Sequence, residues 1–148
     1  MMAMLRDSVE RWLVHGNHRF SNLKTDEDLF HLVIKHLGAF GNSVEIFQPK
    51  NQPNTLVIGS KIPLKNNQNA RFLKLSDDEK KQFEDKVASF CQSIQAVHRF
   101  HTENGKKIVG VYVVNEDAEK LNQNNFFESI ERLVEMADKT TQFLVKTF

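Results

Sequence analysis

Residues 96–114, AVHRFHTENGKKIVGVYVV, decide the fold of this chain. Two β-prone runs meet there at the tetrapeptide ENGK, residues 103–106. Asn-Gly between such runs is the strongest short-range signal of a β-hairpin, because a type I′ turn needs positive φ at both central residues. The second run, 108–114, is apolar except for Gly110 and the hydroxyl of Tyr112. We therefore predict a hairpin whose second strand lies centrally in a sheet and is covered on both faces.

Length and composition favour one globular domain over residues 1–148. A chain of 148 residues with 40% apolar content can bury a sizeable core. Its aromatic side chains are twelve Phe against one Trp and one Tyr, so the core gains area with few hydrogen-bonding demands. The formal net charge of +1 argues against a dedicated nucleic-acid or anionic-membrane binder, since both rely on a large basic excess.

The charge is nevertheless unevenly distributed. Residues 46–76 contain no acid but carry five basic side chains: Lys50, Lys61, Lys65, Arg71 and Lys74. Residues 116–138 are mainly acidic. Both segments are typical of solvated faces, and the basic one also permits an accessory nucleic-acid contact.

Cysteine and hydropathy patterns indicate the compartment. With the single Cys91 the chain has neither an internal disulfide nor a cysteine-based zinc site. The N-terminal stretch meets charge within six residues, so no secretory signal is expected. No apolar run approaches the ~20 residues of a membrane span. We expect a cytoplasmic protein without a membrane partner.

Strand and helix patterns flank the hairpin. Further strands are predicted at 29–37, 44–48 and 55–64, and a short edge strand near Arg19-Phe20. Helices are predicted at 7–15, ending at a left-handed Gly16, after the Ser76 capping box, and from Asn125 onward. Residues 65–70, KNNQNA, are predicted to be an exposed loop. The result is an α+β domain in the order α-β-β-β-α-β-β-α, with an antiparallel sheet and helices mainly on one face.

The last helix carries an unusually wide apolar arc. Leu133, Met136 and Phe143 extend its stripe to roughly 200°, beyond the ≳ 100° of an ordinary surface helix. The N-terminal helix, through Val9 and Trp12, is one candidate to cover this shoulder. The other is a partner or a second copy, because large exposed apolar patches are rare on monomers. These three residues are the predicted partner-binding site.

No catalytic, metal or cofactor constellation is visible. His31 and His36, and likewise His98 and His101, are separated by odd intervals that place the members of each pair on opposite faces of a strand. Cys91 lies on the apolar side of its helix, which is typical of an inert thiol. We predict no cofactor, no metal and no enzymatic activity.

The order of elements resembles a known group. The chain has an early helix ending in Trp12-Leu13, strands through VEIFQPK (44–50) and LVIG (56–59), a capped middle helix and a long final helix. In this it resembles a small family of uncharacterised, mainly archaeal proteins, whose fold is similar to that of the class I type III secretion chaperones. The resemblance implies a domain that dimerises or holds an extended partner segment against sheet and helix surfaces.

Three functional hypotheses follow. The first is a non-enzymatic, chaperone-like protein-interaction module that binds an extended peptide, by strand addition or in an apolar groove, or forms a homodimer. The alternative is an accessory nucleic-acid-binding protein that uses residues 50–74. The third is an enzyme whose site is assembled from residues remote in sequence.

Overall fold

The hairpin forms as the sequence predicts. A computed structural model describes residues 2–148, and side chains from Leu5 onward. Asn104 and Gly105 both have positive φ, 52° and 74°, as a type I′ turn requires. They join two antiparallel strands in which Glu103 pairs with Lys106.

The predicted α+β class and antiparallel sheet are confirmed. The sheet has six strands in the order β1-β2-β3-β4-β6-β5, and every neighbouring pair is antiparallel. The elements in chain order are α1 Met2–His15, β1 Ser21–Asn22, β2 Asp28–Leu37, β3 Asn42–Pro49, β4 Leu56–Pro63, α2 Asn66–Leu73, α3 Asp77–Ser93, β5 Val97–Glu103, β6 Lys106–Asn115 and α4 Gln123–Thr147.

The helices share one core on one face of the sheet. Alternate residues of the strands, such as Ile46, Ile58 and Val111, are fully buried against helical side chains, including Leu13 of α1 and Phe126 of α4. Because strand side chains alternate between faces, the other set points to the opposite side. No helix within residues 2–148 covers that side, which carries Glu45, Lys61 and Tyr112 among others and which we call the open face.

The prediction that the second hairpin strand is covered on both faces is wrong. Val109, Val111 and Val113 of β6 are buried in the core, while Val114 is exposed on the open face. Gly110 is buried because the ring of Tyr112 lies across it; a Cβ there would stand 2.5 Å from the Tyr112 hydroxyl oxygen. The apolar run therefore has two causes. One face of β6 packs in the core, and on the open face the ring of Tyr112, from the same strand, covers Gly110.

The predicted loop at residues 65–70 is also wrong, because this stretch opens helix α2. The side-chain amides of Gln68 and Asn69 form hydrogen bonds with distant parts of the chain. Asn69 Nδ2 donates to Gly105 O at 3.0 Å, and Asn69 Oδ1 accepts from the backbone N–H of Lys107 at 2.9 Å. Gln68 Nε2 donates to Leu144 O at 3.4 Å. The helix is thus stabilised by contacts that its local sequence does not show.

Three helix and strand ends also differ from the prediction. The left-handed residue after α1 is Asn17, with φ 58°, rather than Gly16. The edge strand begins at Ser21. Helix α4 begins at Gln123, where the side chain of Asn122 accepts the backbone N–H of Asn125 at 2.9 Å. The capping box at Ser76 is confirmed, with Ser76 Oγ accepting from Glu79 N at 3.2 Å.

Candidate functional site

A groove of about 780 Å³ runs along the outer side of α4, between the end of α1 and the turn that joins β2 to β3. We call it the α4 groove. Its apolar lining consists of Leu37, Ala39, Phe40, Phe127, Ile130 and Val134. Its polar and small residues are Gly16, His18, Gly38, Glu131, Glu135, Asp138, Lys139 and Gln142.

The β2–β3 turn is fixed against α4 by a carboxylate. Asp138 accepts the backbone N–H of Ala39 at 3.0 Å and that of Phe40 at 3.3 Å. Gly38 adopts φ +77°, and a Cβ there would come within 2.7 Å of Asp138 and Val134. Only glycine allows this approach without strain. The turn consequently presents Phe40, whose side chain is 48% exposed, in a fixed position on the wall of the groove.

The opposite end of the groove is closed by α1. A Cβ on Gly16 would stand 2.8 Å from the ring of Phe127, which explains why this position holds the smallest residue. The ring of His18 packs on Phe127 with centroids 6.0 Å apart. His15 Nδ1 lies 3.2 Å from Gln123 Oε1 at the start of α4. These contacts leave part of Phe127 facing the groove.

The groove has an acidic rim. Its lining includes the carboxylates of Glu131, Glu135 and Asp138 against the one ammonium of Lys139. Asp138 is engaged by the turn, and Glu135 pairs with Lys139 at 2.9 Å. That exposed pair contributes little stability, so a cationic group of a ligand can replace the ammonium of Lys139 beside Glu135 at small cost. The rim therefore favours a ligand with positive charge.

The predicted partner-binding residues lie inside the fold. Leu133 is 0% exposed and Met136 is 5% exposed, both within the common core. Phe143 is partly buried and stacks on Phe90 of α3, with ring centroids 4.4 Å apart. Leu133 and Met136 share one core with Val9 and Trp12 of α1, and Phe90 of α3 covers one side of Phe143. Partner binding through these residues stays a prediction, without the exposed surface that it required.

A network of charged groups crosses the open face. His31 Nδ1 lies 2.9 Å from Asp28 Oδ2, and His31 Nε2 lies 2.8 Å from Glu45 Oε1. The imidazole also stacks on the ring of Phe47, at 5.0 Å between centroids. Thr25 Oγ1 donates to the same Asp28 oxygen at 2.9 Å. With a carboxylate at each ring nitrogen, the doubly protonated imidazolium satisfies every hydrogen bond.

This arrangement shifts two pKa values. Burial alone lowers the pKa of His31, but the hydrogen bonds and charges of Glu45 and Asp28 outweigh it, so the pKa is raised above its usual 6.5. The hydrogen bond from His31 lowers the pKa of Glu45 against the opposing effect of burial. Both shifts favour an ion pair at neutral pH.

Sequence reasoning missed this network because its members are distant in the chain. The available signal was alternation: His31 and Glu45 both occupy open-face positions of neighbouring strands, and Val33 pairs with Glu45. Further along the face, Lys61 Nζ lies 2.9 Å from Glu103 Oε1. The register of pairing, which brings these residues together, cannot be read from either strand alone.

The other histidines and the cysteine occupy separate places. His98 packs on Phe100 on the core side of β5, whereas His101 Nε2 lies 3.0 Å from the hydroxyl of Tyr112 on the open face. Within residues 2–148 no three His, Cys, Asp or Glu side chains are placed to hold a metal ion. Cys91 is buried, and burial raises the pKa of its thiol to about 11.

The basic residues of segment 50–74 are spread over different surfaces. Lys61 is bound to Glu103 on the open face, and Arg71 donates to the backbone oxygen of Phe148 next to α4. Lys50 lies in the turn after β3, and Lys65 is the N-cap residue of α2. A nucleic-acid contact through this segment stays a prediction.

The fold defines a one-sided α+β sheet protein with an apolar, acid-rimmed groove. The chain belongs to a family described as an uncharacterized conserved protein (DUF2299), whose model matches residues 5–144. A solved structure with a similar fold is an uncharacterized protein from Methanothermobacter thermautotrophicus. It has a TM-score of 0.78 and 14% sequence identity, with 97% of this chain and 99% of that chain covered.

At that level of identity the likeness shows the fold alone. A comparison with curated proteins found no match. Within residues 2–148, every helix is too short or too polar to traverse a lipid bilayer.

Proposed function

We propose that this protein is a non-enzymatic protein-interaction module that holds an extended peptide segment in the α4 groove. The observation that carries the proposal is the exposed ring of Phe40, fixed by Asp138 beside an apolar floor. The volume of about 780 Å³ falls in the usual range of binding pockets, ~300–1,000 Å³. A preformed wall of this kind lowers the entropy lost on binding.

The dimensions of the groove suit a short extended chain. Its lining follows α4 from Phe127 to Gln142, which corresponds to about 22 Å at ~1.5 Å per helical residue. A strand-like peptide rises ~3.3 Å per residue. About six or seven residues of a partner therefore fit alongside the helix.

The lining also indicates the chemistry of the peptide. Apolar side chains would contact Phe40, Phe127 and Val134, while Lys or Arg side chains would pair with Glu131 and Glu135. Alternation of the two kinds matches an extended chain, whose successive side chains point in opposite directions. We infer a segment in which apolar residues alternate with basic ones.

The placement of the perturbed ionisable groups supports binding rather than catalysis. His31 and Glu45, whose pKa values are shifted in opposite directions, lie on the open face and not in the groove. Catalytic groups are usually perturbed and placed within the cleft that binds substrate. The resemblance to secretion chaperones, which hold extended segments, agrees with the proposed role.

The proposal is tested with two synthetic heptapeptides of alternating pattern, KLKFKLK and ELEFELE, labelled for fluorescence anisotropy. The basic peptide is expected to bind with a Kd below about 100 μM, and the acidic peptide at least tenfold more weakly. Val134→Lys, which places a positive charge on the apolar floor, is expected to weaken the basic peptide at least tenfold.

Val145→Lys is the matched control, because Val145 lies on the same helix, is 46% exposed and is outside the groove. It is expected to leave binding unchanged. If neither peptide binds at about 1 mM, or if both variants weaken binding equally, the α4 groove is not the peptide site.

A further inference from the structure

The free edge of β5 presents unpaired backbone groups. β5 ends the six-stranded sheet, and its last residue, Glu103, pairs with Lys106 across the two-residue turn. In such a hairpin the two flanking residues exchange both backbone hydrogen bonds. From Glu103 back to Val97, every second residue therefore forms backbone hydrogen bonds with β6, and the residues between them do not. The N–H and C=O groups of His98, Phe100 and Thr102 therefore point outward, away from β6.

This edge lacks two of the features that usually block strand addition, a β-bulge and a proline. The pairing of β5 with β6 is continuous from Val97 to Glu103, with no bulge, and the strand has no proline. At the other end of the sheet, β1 has only two residues, which is a common way to protect an edge. An open edge seven residues long is a template for another strand.

The charges on β5 are arranged symmetrically. Arg99 and Glu103 stand two residues on either side of His101, and all three side chains lie on the open face with Tyr112. In an antiparallel pair of two such strands centred on His101, Arg99 of each copy lies directly opposite Glu103 of the other. The outward backbone N–H and C=O groups of Phe100 in one copy then lie opposite those of Thr102 in the other. Parallel in-register pairing would instead place Arg99 against Arg99.

We propose that β5 is a self-association edge, through which two copies of this chain pair antiparallel about His101 and extend the sheet across a two-fold axis. The occupant is a second copy because the sequence of β5 complements itself in charge and in backbone bonding. No residue of β5 lines the α4 groove. Self-association can therefore be tested independently of peptide binding. Val134→Lys is expected to leave the pairing unchanged.

A cysteine pair tests the register. Residues opposite each other at a non-hydrogen-bonded site have Cα atoms about 4.5 Å apart, within disulfide reach. His101→Cys is therefore expected to form an intersubunit disulfide in oxidised glutathione, seen as a dimer band on a non-reducing gel. Val97→Cys, on the same strand and face but far from its own copy, is expected to remain monomeric. The native Cys91 is buried and does not compete.

Exchange of the charges at Arg99 and Glu103 tests whether the pairing strand belongs to a second copy of the chain. In sedimentation equilibrium of the full chain, Arg99→Glu and Glu103→Arg are each expected to weaken dimerisation at least tenfold, and the double variant is expected to restore it. Thr102→Pro removes one outward N–H without touching the β6 ladder and is expected to abolish the dimer. A strict monomer at about 1 mM, or a dimer that none of these variants affects, would overturn the proposal. The first result would leave the edge to a foreign strand, and the second would place the dimer contact elsewhere.

Discussion

His31 on β2 and Glu45 on β3 are joined across the open face by 2.8 Å between Nε2 and Oε1, and His31 is only 9% exposed. This bond ties two neighbouring strands on the side of the sheet that no helix covers in residues 2–148. Asp28 engages the second ring nitrogen. The side chain of His31 thus joins the first residue of β2 to β3.

We predict that stability falls as pH rises through the folded-state pKa of His31. That pKa is raised, so the contribution is complete below the unfolded value of ~6.5 and is lost as pH rises through the folded-state pKa. The lowered pKa of Glu45 adds a contribution that is present above ~4.3 and lost in acid. Urea unfolding should therefore show a higher free energy of unfolding at pH 6 than at pH 8.5.

His31→Gln should remove most of that pH dependence. The variant leaves Glu45 and Asp28 without a charged donor, at a cost of about 1.5–3 kcal/mol near pH 6 and less at pH 8.5. The control is His15→Gln, since His15 is exposed on α1. A pH dependence that persists unchanged in His31→Gln would show that other groups cause it.

We predict an energetic coupling between Gly59 and Tyr112. The ring of Tyr112 lies over Gly59 so closely that a Cβ there would stand 2.6 Å from its Cε1. Gly59→Ala should displace the ring and cost about 1–3 kcal/mol. In a Tyr112→Ala background the same change should cost clearly less. Thermal unfolding of the four proteins of this double-mutant cycle measures the coupling, and purely additive effects would contradict it.

We predict that Asn69 stabilises the hairpin from a distance. Asn69→Ala removes the amide that bonds Gly105 O and Lys107 N and should cost about 2–3 kcal/mol, because both backbone groups lose a partner. Asn67→Ala, on the exposed side of the same helix, should change stability by less than about 0.5 kcal/mol. Urea unfolding distinguishes them, and equal effects would mean that only helix propensity is involved.

We predict that Asp138 holds the β2–β3 turn in place. Asp138→Ala should speed amide hydrogen exchange at Ala39 and Phe40, which lose their acceptor, and should lower stability by about 1 kcal/mol. Glu135→Ala, less than one turn away on α4, removes only an exposed pair with Lys139 and should leave both amides protected. Asn42 Nδ2 also donates to Thr141 Oγ1 of α4 at 3.0 Å. Unchanged exchange in Asp138→Ala would show that this bond and Gly38 fix the turn without Asp138.

Local signals in the sequence predicted the elements whose cause is local. The Asn104-Gly105 turn needs only two residues that tolerate positive φ, and the Ser76 capping box needs only residues three apart. Both are found as predicted. Helix α2 was missed because Gln68 and Asn69 are bonded to Leu144, Gly105 and Lys107. The eight residues of α2 contain no trace of those partners.

The surface was predicted less well than the elements. Periodicity showed that α4 is apolar over a wide arc, but not which side the chain itself would cover. Leu133 and Met136 are in the core, and the accessible part of the helix is instead the side of Phe127, Val134 and Glu131. The sequence by itself determined the hairpin, the strands and the amphipathic helices α1, α3 and α4, because turn geometry and side-chain periodicity are local properties. Only the tertiary structure decided the α4 groove, the His31–Glu45 bond and the free edge of β5, because each depends on strand register and on which distant surfaces meet.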